Sequence, residues 1–325
     1  MKTPAVLLEK PEQIRFSQVE LKAPDAGDLV VDVEWSGIST GTERLLWSGR
    51  MPTFPGMGYP LVPGYESVGR VVESAEDQAA SGKTAEDLTD EIRVGQRVFV
   101  PGANCFREVR GLFGGSAARL VVPRSRVTAI NEDLKEDGVL LALAATALHT
   151  MTAEATQAPE LIIGHGVLGR LLARISMALG HPAPVVWETS GSRSAGAESY
   201  QVLHPDEDPR HDYKSIYDVS GDASLLDTLI GRLARGGEIV LAGFYAEPLS
   251  FVFPPAFMRE VRLRVAAEWQ PTDLAAVNEL VSHGELDLSG LITHRQSATQ
   301  AEQAYQTAFA DPDCLKMILD WRTCS

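Results

Sequence analysis

One short run of glycines limits the fold of this chain more than any other feature of its sequence. The residues Gly164-His165-Gly166-Val167-Leu168-Gly169 match the pattern G-x-G-x-x-G. They follow an apolar stretch, 160–163, and open a helical pattern over 167–179, which is the context in which this pattern binds a dinucleotide. Gly164 permits a tight turn, Gly166 lets the main chain approach a pyrophosphate, and Gly169 lets the helix pack on the strand.

Val167 and Leu168 begin the helix, and its first turn offers free N–H groups and a positive dipole end to phosphate. The run therefore predicts a phosphate-binding turn. A glycine-rich turn without a ligand is the alternative interpretation.

Strand and helix patterns alternate on both sides of this turn. Strand-like residues occupy 160–163, 183–188, 215–219, 238–243 and 262–267, and helical spacing occupies 167–179 and 223–233. This alternation is typical of a parallel sheet covered by helices on both faces. The predicted fold class is therefore α/β, with a Rossmann-type, doubly wound parallel sheet as the dinucleotide domain.

Residues at the ends of later strands predict the rest of the cofactor site. Glu188 ends the second strand, where a carboxylate accepts hydrogen bonds from the ribose hydroxyls and repels a 2′-phosphate, which favours NAD. A solvated charge is the alternative for Glu188. Arg193 can pair with a 2′-phosphate, so NADP stays open. Val219 and Gly243, at the ends of two later strands, are predicted to line the nicotinamide half of the cofactor.

Charge and cysteine content exclude several classes of function. The chain has 29 Lys plus Arg and 44 Asp plus Glu, a formal net charge of −15, and nucleic-acid binding needs clustered basic residues. No apolar run reaches the roughly 20 residues of a membrane span, so we expect no integral membrane segment. The three cysteines form no disulfide framework, which favours a reducing compartment. These features predict a cytoplasmic protein without a nucleic-acid partner.

The first third of the chain has short, valine-rich alternating stretches at 29–34, 67–72 and 97–100, which predict strands. Residues 74–90 are small, polar and acidic, and we expect them to form a surface insertion.

Five stretches together resemble the medium-chain dehydrogenase/reductase superfamily over nearly the whole chain. They are GISTGTE at 37–43, PGYESVG at 63–69, VGQRV at 94–98, the glycine turn, and LITHR at 291–295. The resemblance implies a GroES-like, β-rich catalytic domain at 1–146, a Rossmann NAD-binding domain at 147–266, and a return to the catalytic domain at 267–325. Members of this superfamily are often dimers, so a homodimer is one expectation.

The departures from the superfamily pattern concern zinc. Zinc-dependent members have Cys where Ser39 stands and His where Tyr65 stands, and their third ligand falls within 141–143, which holds no Cys, Glu or Asp. Catalytic zinc takes three protein ligands, and this chain does not supply them. We therefore expect the zinc-free branch and no metal in the site. The run His204–Asp212 (HPDEDPRHD) has metal-binding residue types, but its prolines favour a solvated loop.

Within the superfamily, segments 1–16, 37–73 and 315–321 resemble the dehydrogenases that oxidise the 1-hydroxyethyl side chain of a bacteriochlorophyllide to acetyl. This resemblance implies NAD, a small-molecule tetrapyrrole substrate and a role in bacteriochlorophyll synthesis. Trp47, Phe54 and Tyr59 lie in an aromatic stretch that suits a flat, apolar macrocycle, and we predict that they bind the substrate. Packing of this loop against its own domain is the alternative.

Without a metal, hydrogen-bonding side chains must stabilise an alkoxide and pass on its proton. Ser39, Thr40 and Thr42 occupy the turn that holds a ligand and a relay hydroxyl in relatives, Tyr65 replaces a ligand histidine, and Glu66 is its neighbour. We predict catalytic roles for Ser39, Thr40, Tyr65 and Glu66. The alternatives are turn capping for Ser39 and Thr42, core packing for Tyr65, and a buried structural ion pair for Glu66.

The helix that leads into the cofactor domain carries two further candidates. Thr146 matches a position that contacts nicotinamide in relatives, and His149 fits a packing histidine better than a catalytic one. Two other functions stay open: a zinc-free, NADPH-dependent quinone or enone reductase, and a non-catalytic module that only binds the cofactor.

Overall fold

The computed structural model describes residues 1–75, 92–153, 156–197 and 199–324. Most of the expected insertion at 74–90 therefore lies outside the described residues. The chain forms two compact units, which we call unit 1 (Met1–Leu141 with Ile292–Ser325) and unit 2 (Ala142–Leu291).

The N-terminal part of unit 1 consists mainly of strands. Its elements are β1 (Lys2–Lys10), β2 (Gln13–Glu20), β3 (Asp28–Ile38), α1 (Thr42–Ser48), β4 (Leu61–Val62), β5 (Ser67–Ser74), β6 (Arg97–Val100), β7 (Arg110–Gly111), β8 (Arg119–Pro123) and β9 (Thr128–Ala129). Short 3-10 helices follow at Arg124–Arg126 and Glu132–Leu140. The expected strand character of this region is confirmed.

Unit 2 alternates strands and helices. Its elements are α2 (Leu141–Thr152), β10 (Leu161–Ile163), α3 (Val167–Ala178), β11 (Val185–Trp187), β12 (Gln201–Leu203), β13 (Tyr213–Asp218), α4 (Leu226–Arg232), β14 (Leu233–Leu241), α5 (Phe253–Arg259), β15 (Arg262–Val265) and α6 (Pro271–Ser282). Short 3-10 helices lie at Pro205–Glu207 and Ala223–Leu225.

The chain then returns to unit 1 through β16 (His294–Ser297), a 3-10 turn at Ala298–Gln300, α7 (Ala301–Ala310) and β17 (Met317–Asp320). In unit 1, one sheet has the order β2-β1-β4-β7 and a second has the order β16-β17-β3-β5-β6-β9, with β8 also pairing with β3. Strand β3 is central to the second sheet, where it pairs with β17, β5 and β8. Its Val and Leu side chains are buried from Leu29 to Val33.

The described strands of unit 2 are ordered β12-β11-β10-β13-β14-β15, and every neighbouring pair is parallel. Counted along the chain, this is the order 3-2-1-4-5-6 of a dinucleotide-binding sheet. Helix α3 packs on it because Leu171, Leu172 and Ile175 share one buried face. The switch point lies beside β10, the strand that runs into the glycine turn.

The boundaries between the two units lie after residues 141 and 291, whereas the sequence analysis predicted them after residues 146 and 266. The later return follows from α6, which stays with unit 2: its Asp273 Oδ2 lies 2.8 Å from Nδ1 of His149 on α2. His149 thus has a structural partner, as its packing interpretation required.

Within the described ranges, no helix has both the length and the apolar character needed to cross a membrane.

Candidate functional site

The glycine turn of unit 2 has the geometry of a phosphate cradle. Gly164 has φ +101°, and a Cβ built on Gly169 would lie 1.9 Å from the Gly164 carbonyl oxygen. A Cβ on Gly166 would meet no atom within 4 Å, so this face of the turn is open. Gly166 is the N-cap of α3, whose first turn, with Val167 and Leu168, holds no acidic residue. Free N–H groups at an open helix start fit a pyrophosphate.

Glu188 lies directly beside this turn. Its Oε2 accepts the main-chain N–H of His165 at 3.0 Å, and its Oε1 accepts those of Thr189 and Ser190, each at 2.8 Å. A carboxylate has about four acceptor positions, so Glu188 keeps capacity for a ribose hydroxyl. The structure thus brings the predicted ribose-binding residue to the phosphate turn.

A clamp formed by His165 and Arg170 fixes the loop after Glu188. Nδ1 of His165 lies 2.6 Å from the Arg193 carbonyl oxygen and its Nε2 lies 2.7 Å from the Tyr200 hydroxyl. Burial lowers the pKa of His165, so the ring is neutral, with one nitrogen donating and one accepting. Arg170 donates to the carbonyl oxygens of Arg193 and Ala195 and of Gly196. The clamp therefore holds this loop by its main-chain carbonyl oxygens.

Two of the remaining predicted cofactor residues, Val219 and Gly243, follow β13 and β14 at the same end of the sheet. Cγ2 of Val219 would lie 3.6 Å from a Cβ on Gly164, and a Cβ on Gly243 would come within 3.0 Å of the Gly221 nitrogen. Both positions therefore border a tightly packed turn. Thr146 donates its hydroxyl to the carbonyl oxygen of Ala142, 2.9 Å away on its own helix.

In unit 1, three hydroxyl groups meet at the turn between β3 and α1. The Tyr65 hydroxyl donates to Ser39 Oγ at 2.5 Å and accepts from Thr42 Oγ1 at 3.2 Å. The Tyr65 ring lies edge-on to Phe113, with centroids 5.4 Å apart. Thr40, in contrast, is exposed and outside this arrangement. We call Ser39, Thr42 and Tyr65 the hydroxyl chain.

The phenol of Tyr65 is neutral over the ordinary pH range. Burial raises the pKa of Tyr65 far above its usual value, and the carboxylates of Glu66 and Glu43 raise it further. Tyr65 therefore acts as a hydrogen-bond donor and not as a phenolate base.

Glu43 lies beneath the hydroxyl chain and is buried. Its Oε1 accepts the main-chain N–H of Ser39 at 3.1 Å, and its Oε2 accepts the Tyr305 hydroxyl at 2.6 Å. Burial raises the pKa of Glu43 to about 7, although the hydrogen bond from Tyr305 acts in the opposite direction. The sequence analysis assigned no role to this residue.

Glu66 forms a buried ion pair with Lys316, and their exposures are 0% and 1%. Burial raises the pKa of Glu66, while Lys316 lowers it. A Cβ on Gly37 would lie 2.1 Å from Glu66 Oε2, so the main chain closes directly over the carboxylate. The structure thus agrees with the structural-pair alternative for Glu66, and its predicted catalytic role has no support from this geometry.

Two of the predicted substrate residues, Trp47 and Tyr59, pack against the same buried cluster of unit 1. Tyr59 donates its hydroxyl to the Leu46 carbonyl oxygen at 2.5 Å, and Trp47 packs on Phe309 with centroids 5.4 Å apart. Phe54 stays 37% exposed. Trp47 and Tyr59 therefore hold their loop against unit 1 through part of their surface, and substrate contact by any of the three is still a prediction.

The donor set at the former ligand positions does not fit zinc, because a serine hydroxyl and a neutral phenol replace a thiolate and an imidazole. Among the residues that the structure describes, no group of three or more His, Cys, Asp or Glu is placed to hold a metal ion. The expectation of a solvated loop at 204–212 is wrong for Asp208, which is buried and accepts hydrogen bonds from Trp187 Nε1 and the Tyr213 hydroxyl, each at 2.7 Å.

Comparison with known proteins decides the family. Residues 25–132 match the model of the alcohol dehydrogenase GroES-like domain. The chain is 55% identical over 323 residues to the 2-desacetyl-2-hydroxyethyl bacteriochlorophyllide A dehydrogenase of Rhodobacter capsulatus, covering 99% of both proteins. It is 54% identical to the protein of the same name from Cereibacter sphaeroides, again over 99% of each. The chain belongs to the medium-chain dehydrogenase/reductase superfamily.

A solved member of this fold is the alcohol dehydrogenase of Escherichia coli CFT073 in complex with NADH. It superposes on this medium-chain dehydrogenase with a TM-score of 0.80 at 21% identity, over 98% of this chain and 99% of that chain. The predicted fold class, a GroES-like domain with a Rossmann sheet, is confirmed.

In this medium-chain dehydrogenase, Glu43, Tyr305 and Lys316 are the site residues that the sequence analysis did not single out. Glu43 and Lys316 lie within the stretches 37–43 and 315–321 that resemble relatives. The sequence did not show that Glu43 contacts Tyr305 or that Lys316 pairs with Glu66. Tyr305 reaches Glu43 from a helix 262 residues further along the chain, a contact that only the fold reveals.

Proposed function

We propose that this protein oxidises the 1-hydroxyethyl side chain of a bacteriochlorophyllide to acetyl, with NAD as the hydride acceptor. The observation that carries the proposal is the 55% identity over 99% of the chain to a dehydrogenase named for this substrate. A hydroxyl chain at the former metal position supports an alcohol as the reacting group.

The proposed cofactor site lies in unit 2. The glycine turn and the start of α3 would hold the pyrophosphate, and Glu188 would accept the ribose hydroxyls. When bound there, NAD would supply the acceptor for the hydride of the carbinol carbon, and the proton of the alcohol would be released to solvent. The negative charge of Glu188 beside the turn supports NAD over NADP, because it repels a 2′-phosphate.

In unit 1, the hydroxyl chain supplies the hydrogen bonds that the substrate oxygen needs. Ser39 Oγ accepts a hydrogen bond from the Tyr65 hydroxyl, so the hydroxyl hydrogen of Ser39 is directed elsewhere and suits a substrate oxygen. Thr42 donates to Tyr65 from the other side and orients the phenol. A fixed donor at an oxygen that gains negative charge stabilises the transition state, and removal of one such donor typically costs about 10²–10³ in rate.

The direct test mixes the protein with NAD and hydroxyethyl bacteriochlorophyllide, and follows NADH fluorescence together with the acetyl product by mass spectrometry. We expect NADH and acetyl product in equal amounts, with slower turnover when NADP replaces NAD. Tight NADH binding without turnover would instead indicate the non-catalytic module. Turnover of quinones or enones with NADPH, and none with the hydroxyethyl substrate, would indicate the reductase.

A further inference from the structure

The buried carboxylate beneath the hydroxyl chain is not accounted for by the reaction as proposed above. Glu43 is 1% exposed, yet within the described part of the chain it does not form the ion pair that a buried carboxylate usually requires. Lys316 is the nearby cation, and it pairs with Glu66. Among the described residues, the hydrogen bonds to Glu43 come from the Ser39 N–H and the Tyr305 hydroxyl.

These two partners accommodate the neutral carboxyl as well as the charged one. The Ser39 N–H can only donate, so it requires an acceptor at Oε1 in both states. The Tyr305 hydroxyl can donate or accept. A proton on Oε2 would therefore be donated to Tyr305, whose own hydrogen would turn to another acceptor.

Such an acceptor is present. A hydrogen bond from the Ser116 hydroxyl lowers the pKa of Tyr305, and Ser116 Oγ is buried with no other partner in the described part of the chain. With Glu43 protonated, Glu43 would donate a hydrogen bond to Tyr305 and Tyr305 would donate one to Ser116, so all three groups would have a partner. With Glu43 charged, Tyr305 donates to Glu43 and the Ser116 hydroxyl can donate to the Tyr305 oxygen, so the same groups serve both charge states.

We propose that Glu43 is a proton-holding positioning residue, which takes up one proton from solvent in the working pH range and thereby changes the donor strength of the hydroxyl chain. The proposal rests on the proposed function for its effect on turnover, but not for the protonation itself. The proton is added to Oε2 and no covalent bond between heavy atoms changes.

The charges around Glu43 explain the direction of its effect. Burial and the Glu66 carboxylate raise the pKa of Glu43, while Tyr305, the Ser39 N–H and Lys316 lower it, and the balance lies at about 7. The Glu43 charge in turn raises the pKa of Tyr65. A charged Glu43 therefore makes the phenol a weaker acid and a weaker donor, and a neutral Glu43 makes it a stronger one.

The first experiment needs no substrate. Infrared difference spectra between the parent and Glu43→Gln should contain one protonated carboxyl band at pH 6 that disappears with a midpoint near pH 7. In Tyr305→Phe the hydrogen bond that lowers this pKa is lost, so the midpoint should move to higher pH. A band that is absent, or that titrates with the exposed carboxylates below pH 5, would overturn the proposal even if the enzyme turns over as expected.

The second experiment measures reduction of the acetyl product by NADH as a function of pH. The turnover number of the parent should fall through the midpoint to a lower plateau at high pH, because a charged Glu43 weakens the donor without removing it. Glu43→Gln, which is neutral at every pH, should lose this inflection. Glu302→Gln, an exposed change on the same helix as Tyr305, is the matched control and should keep the parent profile.

An inflection that persists unchanged in Glu43→Gln would refute the effect on turnover. If Glu43→Gln does not fold, the direction of the shift in Tyr305→Phe decides, since a structural role of Tyr305 alone would not move a pH midpoint. A midpoint that stays in place or moves to lower pH then refutes the proposal.

Discussion

Loss of Lys316 should destabilise unit 1 strongly, and a second change at Glu66 should reverse most of the loss. The replacement Lys316→Met keeps the length of the side chain but leaves Glu66 buried, charged and unpaired. Glu66 is 0% exposed, and its Oε1 has no hydrogen-bond partner among the described residues, so no second donor compensates. Removing one member of a buried pair costs about 3–5 kcal/mol, and the closure of Gly37 over the carboxylate favours the upper end of this range.

Urea unfolding followed by intrinsic fluorescence measures the effect for the parent, Lys316→Met, Glu66→Leu and the double variant. We expect the double variant to be more stable than either single variant by about 2 kcal/mol or more, because an apolar pair replaces the ion pair. In Lys316→Met the pKa of Glu66 rises further, since Lys316 lowers it in the parent. A carboxyl with a raised folded-state pKa loses stability as the pH rises, so the defect should be smaller at pH 5 than at pH 8.

The reasoning is refuted if the free-energy losses of the two single variants simply add in the double variant. The same holds if the defect of Lys316→Met is equal at both pH values, since an unpaired buried carboxylate must respond to protonation.

The remaining predictions concern the cofactor, the chemistry, the metal and the assembly. Glu188→Ala should weaken NAD binding by about 1.5–3 kcal/mol, as loss of hydrogen bonds to a charged group does, and should reduce the difference in affinity between NAD and NADP. Titration of both cofactors measures this, and an unchanged ratio of the two affinities contradicts contact with the ribose. Tyr65→Phe should lower turnover about 10²–10³-fold while NAD affinity holds, because the ring packing stays and one donor is lost; parent-like turnover would make Tyr65 a packing residue. Activity should survive a chelator, because Ser39 and Tyr65 replace zinc ligands; elemental analysis near one zinc per chain, with activity lost on removal, would show the opposite. A homodimer should give a light-scattering mass near twice 35.2 kDa, since Met258 and Val265 leave apolar surface exposed, and a mass of one chain excludes it.

The cofactor half of the molecule was predictable from sequence because its constraints are local. The glycine turn follows its strand and opens its helix within a few residues, so spacing alone predicts the geometry that Gly164, Gly166 and Gly169 then show. The short edge strand β12 was missed, because Gln201–Leu203 is too short and too exposed to give a periodic pattern.

The hydroxyl site was predictable only in part. Ser39 and Tyr65 were singled out by position, and the structure joins their hydroxyls at 2.5 Å. Their support was not predictable, since Tyr305 and Lys316 approach from the far end of the chain and long-range pairing leaves no local signal. The apolar stretch around Trp47 and Tyr59 was ambiguous for a different reason: aromatic residues that bind a ligand and those that pack a loop have the same composition.

The clamp of His165 and Arg170 has a consequence for engineering the coenzyme preference. Both residues hold the loop through the carbonyl oxygens of 193, 195 and 196, which every amino acid carries, whereas the Ser194 hydroxyl holds the carbonyl oxygens of Ser190 and Gly191. The side chain at position 193 can therefore be exchanged while its carbonyl oxygen keeps both contacts of the clamp. A library at this position would sample nucleotide selectivity with the clamp retained, whereas a change at Glu188 also removes the acceptor of three main-chain N–H groups.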